Sequence, residues 1–277
     1  MDIVFASNKK YAPHLATALI SLLSNNRDLD IFIHLLSFEF EDDDKEKIVR
    51  ICDRYSSPIS IHIVEERSLH YLKTNLHFSR ECYLRLLVDQ FLDADTCLYL
   101  DSDLIVRGSI ASLGDIKLND YFVGAVDTPG FNRHSDLGMK SSSRYFNSGV
   151  MLINLCQWRA HQIGRKVIDF VENSPSVVQY VDQCGLNAVI DGHWLEIDSK
   201  YNVQTPEARA LDASKFDQVL VAHFTGSSKP WNLGQDHPFR SEYWKWRRKT
   251  GYQAVLPDDF SLRKLAGYGL RRMLSLQ

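Results

Sequence analysis

Up to Leu100 the chain switches repeatedly between short apolar runs of strand type and segments of helical periodicity, an alternation that leaves few architectures open. Residues 3–6, 31–36, 59–64 and 97–100 read as strands, and residues 14–24, 41–55 and 80–91 as the helices between them. Strand, helix, strand in repetition predicts an α/β domain with a mostly parallel sheet covered on both faces. Further strands are predicted at 121–126, 150–154, 194–197 and 219–224, and helices at 157–172 and 181–190. A polar loop over 128–144 is long enough for a substrate lid or an acceptor surface. One compact domain over 1–240, followed by an extension over 241–277, accounts for the pattern.

The apolar run at 96–100 ends in Asp101-Ser102-Asp103. On an extended chain alternate residues share a face, so these carboxylates can jointly hold a hard divalent cation through oxygen. The same spacing occurs at Asp28/Asp30, Asp42/Asp44 and Asp93/Asp95, but none of these ends a comparable strand, and they read as loop or helix-cap charges. In open α/β sheets ligands bind just beyond the carboxyl ends of strands, which is where Asp101 and Asp103 should lie. His223 ends another apolar strand and is followed by Gly226, two serines and Lys229, groups able to offer N–H donors and a cation to phosphate oxygens. A strand-end histidine with two carboxylates makes an oxygen and nitrogen set compatible with Mn or Mg.

The chain is 44% hydrophobic, ample for a buried core. Five cysteines with no Cys-x-x-Cys spacing predict buried, reduced thiols in a cytosolic protein and argue against a disulfide frame or a zinc cage. No secretory signal or membrane-spanning run is expected. The formal net charge is only −3, yet residues 243–277 hold eight Lys or Arg against two Asp, leaving the rest of the chain acidic. Trp244 and Trp246 stand among these cations, and Leu262, Leu265, Ala266, Gly269, Met273 and Leu276 fall near one helical face. That composition suits a peripheral anchor on an anionic membrane, or a basic tail packed on its own domain. The acidic remainder argues against nucleic acid.

Taken in order, Ile3-Val4-Phe5-Ala6, Tyr83-Leu84-Arg85, Leu98-Tyr99-Leu100-Asp101-Ser102-Asp103, Phe146-Asn147-Ser148-Gly149, Asp182-Gln183 and the run from His223 to Trp231 resemble the retaining glycosyltransferases of family 8 over about residues 1–235. That family includes bacterial lipopolysaccharide and lipooligosaccharide galactosyl- and glucosyltransferases. The resemblance implies a GT-A fold with a mixed sheet, a UDP-hexose donor and Mn2+ or Mg2+. It implies a saccharide acceptor, such as lipopolysaccharide or another glycolipid, and a cytoplasmic enzyme lying peripherally on the inner face of the membrane. By similarity Asp101, Asp103 and His223 hold the metal, Ala6, Asn8 and Tyr11 meet the uridine, and Ser102 faces the nucleotide. Arg85, Asp127, Asn147, Ser148, Asp182 and Gln183 would surround the sugar, while Gly226 and Lys229 contact phosphate. Asn8 stands where the family often has an acid, though its carbonyl oxygen can still accept from the uracil imide. Lys10 stands where a polar uncharged residue is usual.

The chemistry required is stabilisation of a departing diphosphate, and Gln183 and Asp182 are the groups expected nearest the sugar carbon. Gln183 is a weak nucleophile, better suited to positioning; Asp182 is chemically able but suited to holding sugar hydroxyls. Two rival readings remain at this stage. One is a phosphatase of haloacid dehalogenase type, which also ends a strand in Asp-x-Asp but places it early in the chain. The other is a sugar-nucleotide-binding protein without turnover.

Overall fold

In the computed structural model, which describes residues 1–74, 78–252, 257–261 and 263–264, the expected alternation appears as β1 (Asp2–Ala6), α1 (Ala12–Asn25), β2 (Phe32–Ser37), α2 (Asp42–Arg54) and β3 (Ile59–Ile63), followed by β4 (Thr96–Leu100). β5 (Leu104–Val106), β6 (Val123–Asp127), β7 (Phe146–Asn154) and β8 (Trp194–Glu196) follow. Strands β3-β2-β1-β4-β7-β6-β8 form one sheet, parallel except where β7 runs antiparallel between β4 and β6. Each strand sends alternate side chains to opposite layers. Ile3, Phe5, Ile33, Leu98 and Leu100 join α1 and α2 on one side. Val4, Leu36, Tyr99, Met151 and Ile153 pack on the other against the segment Arg80–Gln90 and three helices, α3 (Leu155–Ala160), α4 (Ile163–Asn173) and α5 (Val181–Ile190).

β1 is the switch point of the sheet: β2 and β3 extend from one side of it and β4 from the other. Such a reversal opens a crevice at the carboxyl ends of the two central strands, here Ala6 and Leu100. A second sheet of three strands covers α1, with β5 beside β10 (Val221–His223) and β10 beside β9 (Val203–Gln204). Sandwiched between the sheets, α1 is buried almost all round. By contrast α2 buries only Ile48, Ile51 and Cys52, and its ends match the helix dipole, with Asp42, Asp43 and Asp44 first and Arg54 last.

Several expected elements differ. The helix expected at 157–172 is two, because Gln162 takes a left-handed φ of 53° and breaks the path between α3 and α4. Residues Arg80–Gln90 wind as a 3-10 helix with Tyr83 to Val88 all buried. α4 reaches that segment closely, since a Cβ on Gly164 would lie 2.0 Å from the Leu86 carbonyl oxygen. Helices α6 (Thr205–Ala210) and α7 (Arg240–Arg247) were not expected. The domain boundary expected at 240/241 falls at the first turn of α7, whose Tyr243, Trp246 and Arg247 are buried. The apolar helical face from Leu262 to Leu276 lies outside the described residues. Cys52, Cys97 and Cys184 are buried thiols, whereas Cys82 is half-buried and Cys156 is exposed beside Asp95 on the outer side of α3. Among the described residues no helix is long and apolar enough to cross a membrane.

Candidate functional site

A cleft of about 470 Å³ opens at the switch point. Asp101 and Asp103 flank the exit of β4, and antiparallel β7 brings its first residues to the same end, where Asp101 N donates to Gly149 O at 2.8 Å. Asp103 leads into β5, so its neighbour across the second sheet is His223 at the end of β10, and Phe224 N donates to Asp103 O at 2.9 Å. One ligand atom from each of Asp101, Asp103 and His223 lies within 4.8 Å of the others. His223 Nε2 stands 3.2 Å from Asp103 Oδ1 and 3.6 Å from Asp101 Oδ2.

The hydrogen bonds behind His223 fix its tautomer. Gly149 N donates to Asn147 Oδ1, so the Asn202 atom 2.9 Å from that oxygen is the donor Nδ2. Asn202 Oδ1 then faces His223 Nδ1 at 2.9 Å, which must carry the proton. The Nε2 lone pair is thereby aimed at two carboxylates, an arrangement that a cation completes and whose ligand types suit Mn or Mg. Gly149 lets the two side chains approach this closely: a Cβ there would meet His223 Cε1 at 2.2 Å and Asp101 Oδ2 at 2.6 Å. These residues fit a divalent ion.

The network continues toward the other wall. Asn147 Nδ2 donates to Gln183 Oε1 at 3.0 Å, and Ser148 N donates to the same oxygen at 3.1 Å. Arg85, 4% exposed, reaches Ser148 O and Oγ, Asp101 Oδ1 at 2.9 Å and Asp182 Oδ2 at 3.1 Å, with its guanidinium 4.5 Å over the Tyr99 ring. Burial works against that cation, but Asp101 and Asp182 more than offset it and raise its pKa. Burial pushes the Asp182 carboxyl up to about 6, with Arg85 opposing and the Asp101 charge adding to the rise. Burial also disfavours ionised Asp103, yet the Lys229 ammonium holds its carboxyl well below the usual range. Lys229 Nζ donates to Asp103 Oδ2 and to Phe224 O.

Of the residues singled out from the sequence, Ala6, Asn8, Tyr11, Arg85, Asp101, Ser102 and Asp103 all line the cleft. So do Asn147, Ser148, Asp182, Gln183, His223, Gly226 and Lys229. Asn8 Oδ1 accepts from Tyr11 N at 3.0 Å, and Ser102 Oγ donates to Ala6 O at 3.1 Å. Gly226 has a left-handed φ of 75°. Asp127 is not brought to the cleft wall: it pairs with Phe146 at the end of β6, and the lining begins at Thr128. Lys10 is exposed and also lies off the lining. Sequence reasoning missed Asn202, the support of His223, and Gln204, whose amide reaches Thr128 Oγ1; neither stands in a periodic segment. It also passed over Tyr99 as a strand residue, although its hydroxyl donates to Asp101 Oδ1 at 3.0 Å.

The profile of the family described as "Glycosyl transferase family 8" matches residues 2–233. General stress protein A of Bacillus subtilis is 26% identical over 92% of this chain and 96% of its own length. The lipopolysaccharide 1,3-galactosyltransferase of Salmonella typhimurium is 27% identical over 86% of this chain and 74% of its own. The crystal structure of the galactosyltransferase LgtC in complex with donor and acceptor sugar analogues superposes with a TM-score of 0.83 at 28% identity, covering 92% of this chain and 98% of that one.

Proposed function

The chain belongs to glycosyl transferase family 8, has its GT-A fold and is a hexosyltransferase, and on that premise we propose that it moves galactose or glucose from a UDP-sugar to a hydroxyl of a lipid-linked saccharide such as lipopolysaccharide. One observation carries the reading: the ligand atoms of Asp101, Asp103 and His223 converge within 4.8 Å, and the bonds that orient His223 run through Asn202 and Asn147 to Gln183. The ion site and the sugar side of the cleft are thus parts of one construction.

Asp101, Asp103 and His223 would hold Mn2+ or Mg2+. Such an ion neutralises negative charge that develops on the diphosphate as the hexose departs. Lys229, resting on Asp103, adds a fixed positive charge at the same place, and Gly226 lines the same cleft with a left-handed backbone. Ala6, Asn8, Tyr11 and Ser102 lie on the nucleotide side of this reading. Arg85, Asn147, Ser148 and Asp182 lie on the sugar side, where the Asp182 carboxyl, raised by burial to about 6 and paired with Arg85, is suited to holding sugar hydroxyls. The Gln183 amide oxygen already accepts from two N–H groups, which supports a positioning role over attack on the anomeric carbon. The basic residues of 243–277 support a cytoplasmic enzyme lying on the anionic membrane face where such acceptors reside.

Purified protein incubated with Mn2+ and UDP-galactose or UDP-glucose, read by UDP release, tests this. Turnover should appear with one hexose and vanish with chelator or in Asp103→Ala; a protein that neither binds UDP nor releases it refutes the proposal.

A further inference from the structure

We propose that Asp258 is a positioning residue for the nucleotide side of the cleft, acting through the His14 imidazole on the rings of Trp231 and Tyr11. The inference rests on the nucleotide-sugar reading above. Asp258 lies beyond residue 233, where the family profile ends, in a segment that the sequence presents only as part of a basic extension.

His14, on the first turn of α1, is 2% exposed and both ring nitrogens are engaged. Nδ1 lies 2.7 Å from Tyr243 Oη and Nε2 lies 3.1 Å from Asp258 Oδ2. A neutral ring protonated at Nε2 satisfies both contacts: the imidazole donates to the carboxylate and the tyrosine hydroxyl donates to Nδ1. Burial opposes the charged form of His14 and lowers its pKa, in keeping with that neutral ring.

So held, the imidazole stacks on Trp231 with centroids 3.7 Å apart and planes within 19°. Tyr11 meets both rings edge-on, at 5.2 Å from His14 and 6.1 Å from Trp231. Tyr11 lines the cleft, and Trp231 follows Lys229 by two residues with the ammonium 5.7 Å over its ring. The carboxylate of Asp258 therefore fixes the wall behind two groups that the nucleotide diphosphate would touch. Its backbone N–H separately donates to Trp231 O at 3.0 Å, a bond that any side-chain substitution keeps. Removing the carboxylate leaves the imidazole N–H without its acceptor and the ring tied through Tyr243 alone, so its place in the stack is no longer fixed from both sides.

Titration calorimetry with UDP and Mn2+ and steady-state donor hydrolysis on the full chain test the assignment. Asp258→Ala should raise both the UDP Kd and the donor KM about tenfold while kcat stays within about twofold. Asp258→Asn, whose amide oxygen still accepts from Nε2–H, should stay within about twofold of the parent in both. His14→Phe lacks both nitrogens, so nothing ties its ring in place against Trp231; it should match Asp258→Ala, and the double variant should add nothing further. Asp259→Ala cuts the 2.7 Å bond from Leu233 N in the same segment without touching His14, and should leave the Kd unchanged. Unchanged Kd and KM in Asp258→Ala, equal weakening by Asp259→Ala, or additive effects in the double variant overturn the proposal. If Asp258→Ala does not fold, His14→Phe against the parent decides the same question. A parent that binds no UDP refutes the nucleotide-sugar reading, and the inference falls with it; a parent that binds while Asp258→Ala binds equally well refutes the inference alone.

Discussion

Replacing Gly149 by alanine should disable the cation site while leaving the fold standing. A Cβ at that position lies 2.2 Å from His223 Cε1, 2.6 Å from Asp101 Oδ2 and 3.0 Å from His223 Nδ1, where ordinary contact begins at 3.4 Å. The worst overlap, 3.4 less 2.2, requires a retreat of about 1.2 Å. The imidazole cannot yield that distance freely, being tied to Asn202 through Nδ1 and to β5 through the backbone of β10. Asp101 is gripped by Arg85 and Tyr99. A displacement of about 1 Å in a reacting constellation lowers turnover on the order of 100-fold, equal to about 2.7 kcal/mol of barrier. Overpacking should cost about 1–3 kcal/mol of stability. UDP release with Mn2+ across a donor titration, alongside Mn2+ binding and a thermal scan, measures all three. A Gly149→Ala protein within about threefold of the parent in kcat/KM, with unaltered Mn2+ affinity, refutes the steric reasoning.

Asn202→Leu removes the acceptor that selects the His223 tautomer, so Mn2+ affinity should fall by about 10- to 100-fold with little change in UDP binding measured without metal; equal Mn2+ affinity in both proteins rejects the relay. For Asp182 the carboxyl moves from an ordinary 3.8 to about 6 on folding. The folded state binds this proton more tightly, so the contribution to stability is complete below about pH 3.8 and is lost as pH rises through about 6. In metal-free buffer the melting temperature of Asp182→Asn should gain on that of the parent between about pH 4 and pH 7 and level off above; parallel curves for the two proteins show that Asp182 does not titrate there.

The carboxylate pair and His223 were readable in the sequence because both end strongly apolar strands, a local signal. What happens between them was not. The apolar residues 104–106 continue the run at 96–100 with no mark that the chain has left one sheet for another. Asn147, Ser148 and Gly149 look like a turn before a strand, yet all three are buried inside β7, because small and polar groups there are satisfied by Gln183, Arg85 and Asn202 across the chain. Asp127 was expected at the sugar and lies off the cleft wall, since where a strand ends in space depends on partners far away in sequence. Asn202 stands before a two-residue strand, too short for any periodicity. Asp258 was hidden for a different reason: its neighbourhood carries a charge imbalance that draws attention outward, while its own exposed carboxylate reaches the buried His14.

Asp101 and Asp103 are separated by a single serine, but they belong to different halves of the molecule. Asp101 closes β4 of the seven-stranded sheet, whereas Asp103 opens β5 of the three-stranded one and His223 closes its partner β10. Neither half owns a complete set of ligands. A cation held there is therefore a fastener across a seam, and its binding free energy is added to the docking of the small sheet. Folding must bring His223 back across 120 residues of chain before the seam exists at all. The three-residue cluster therefore exists only once β10 has paired with β5, and a half-assembled molecule lacks it.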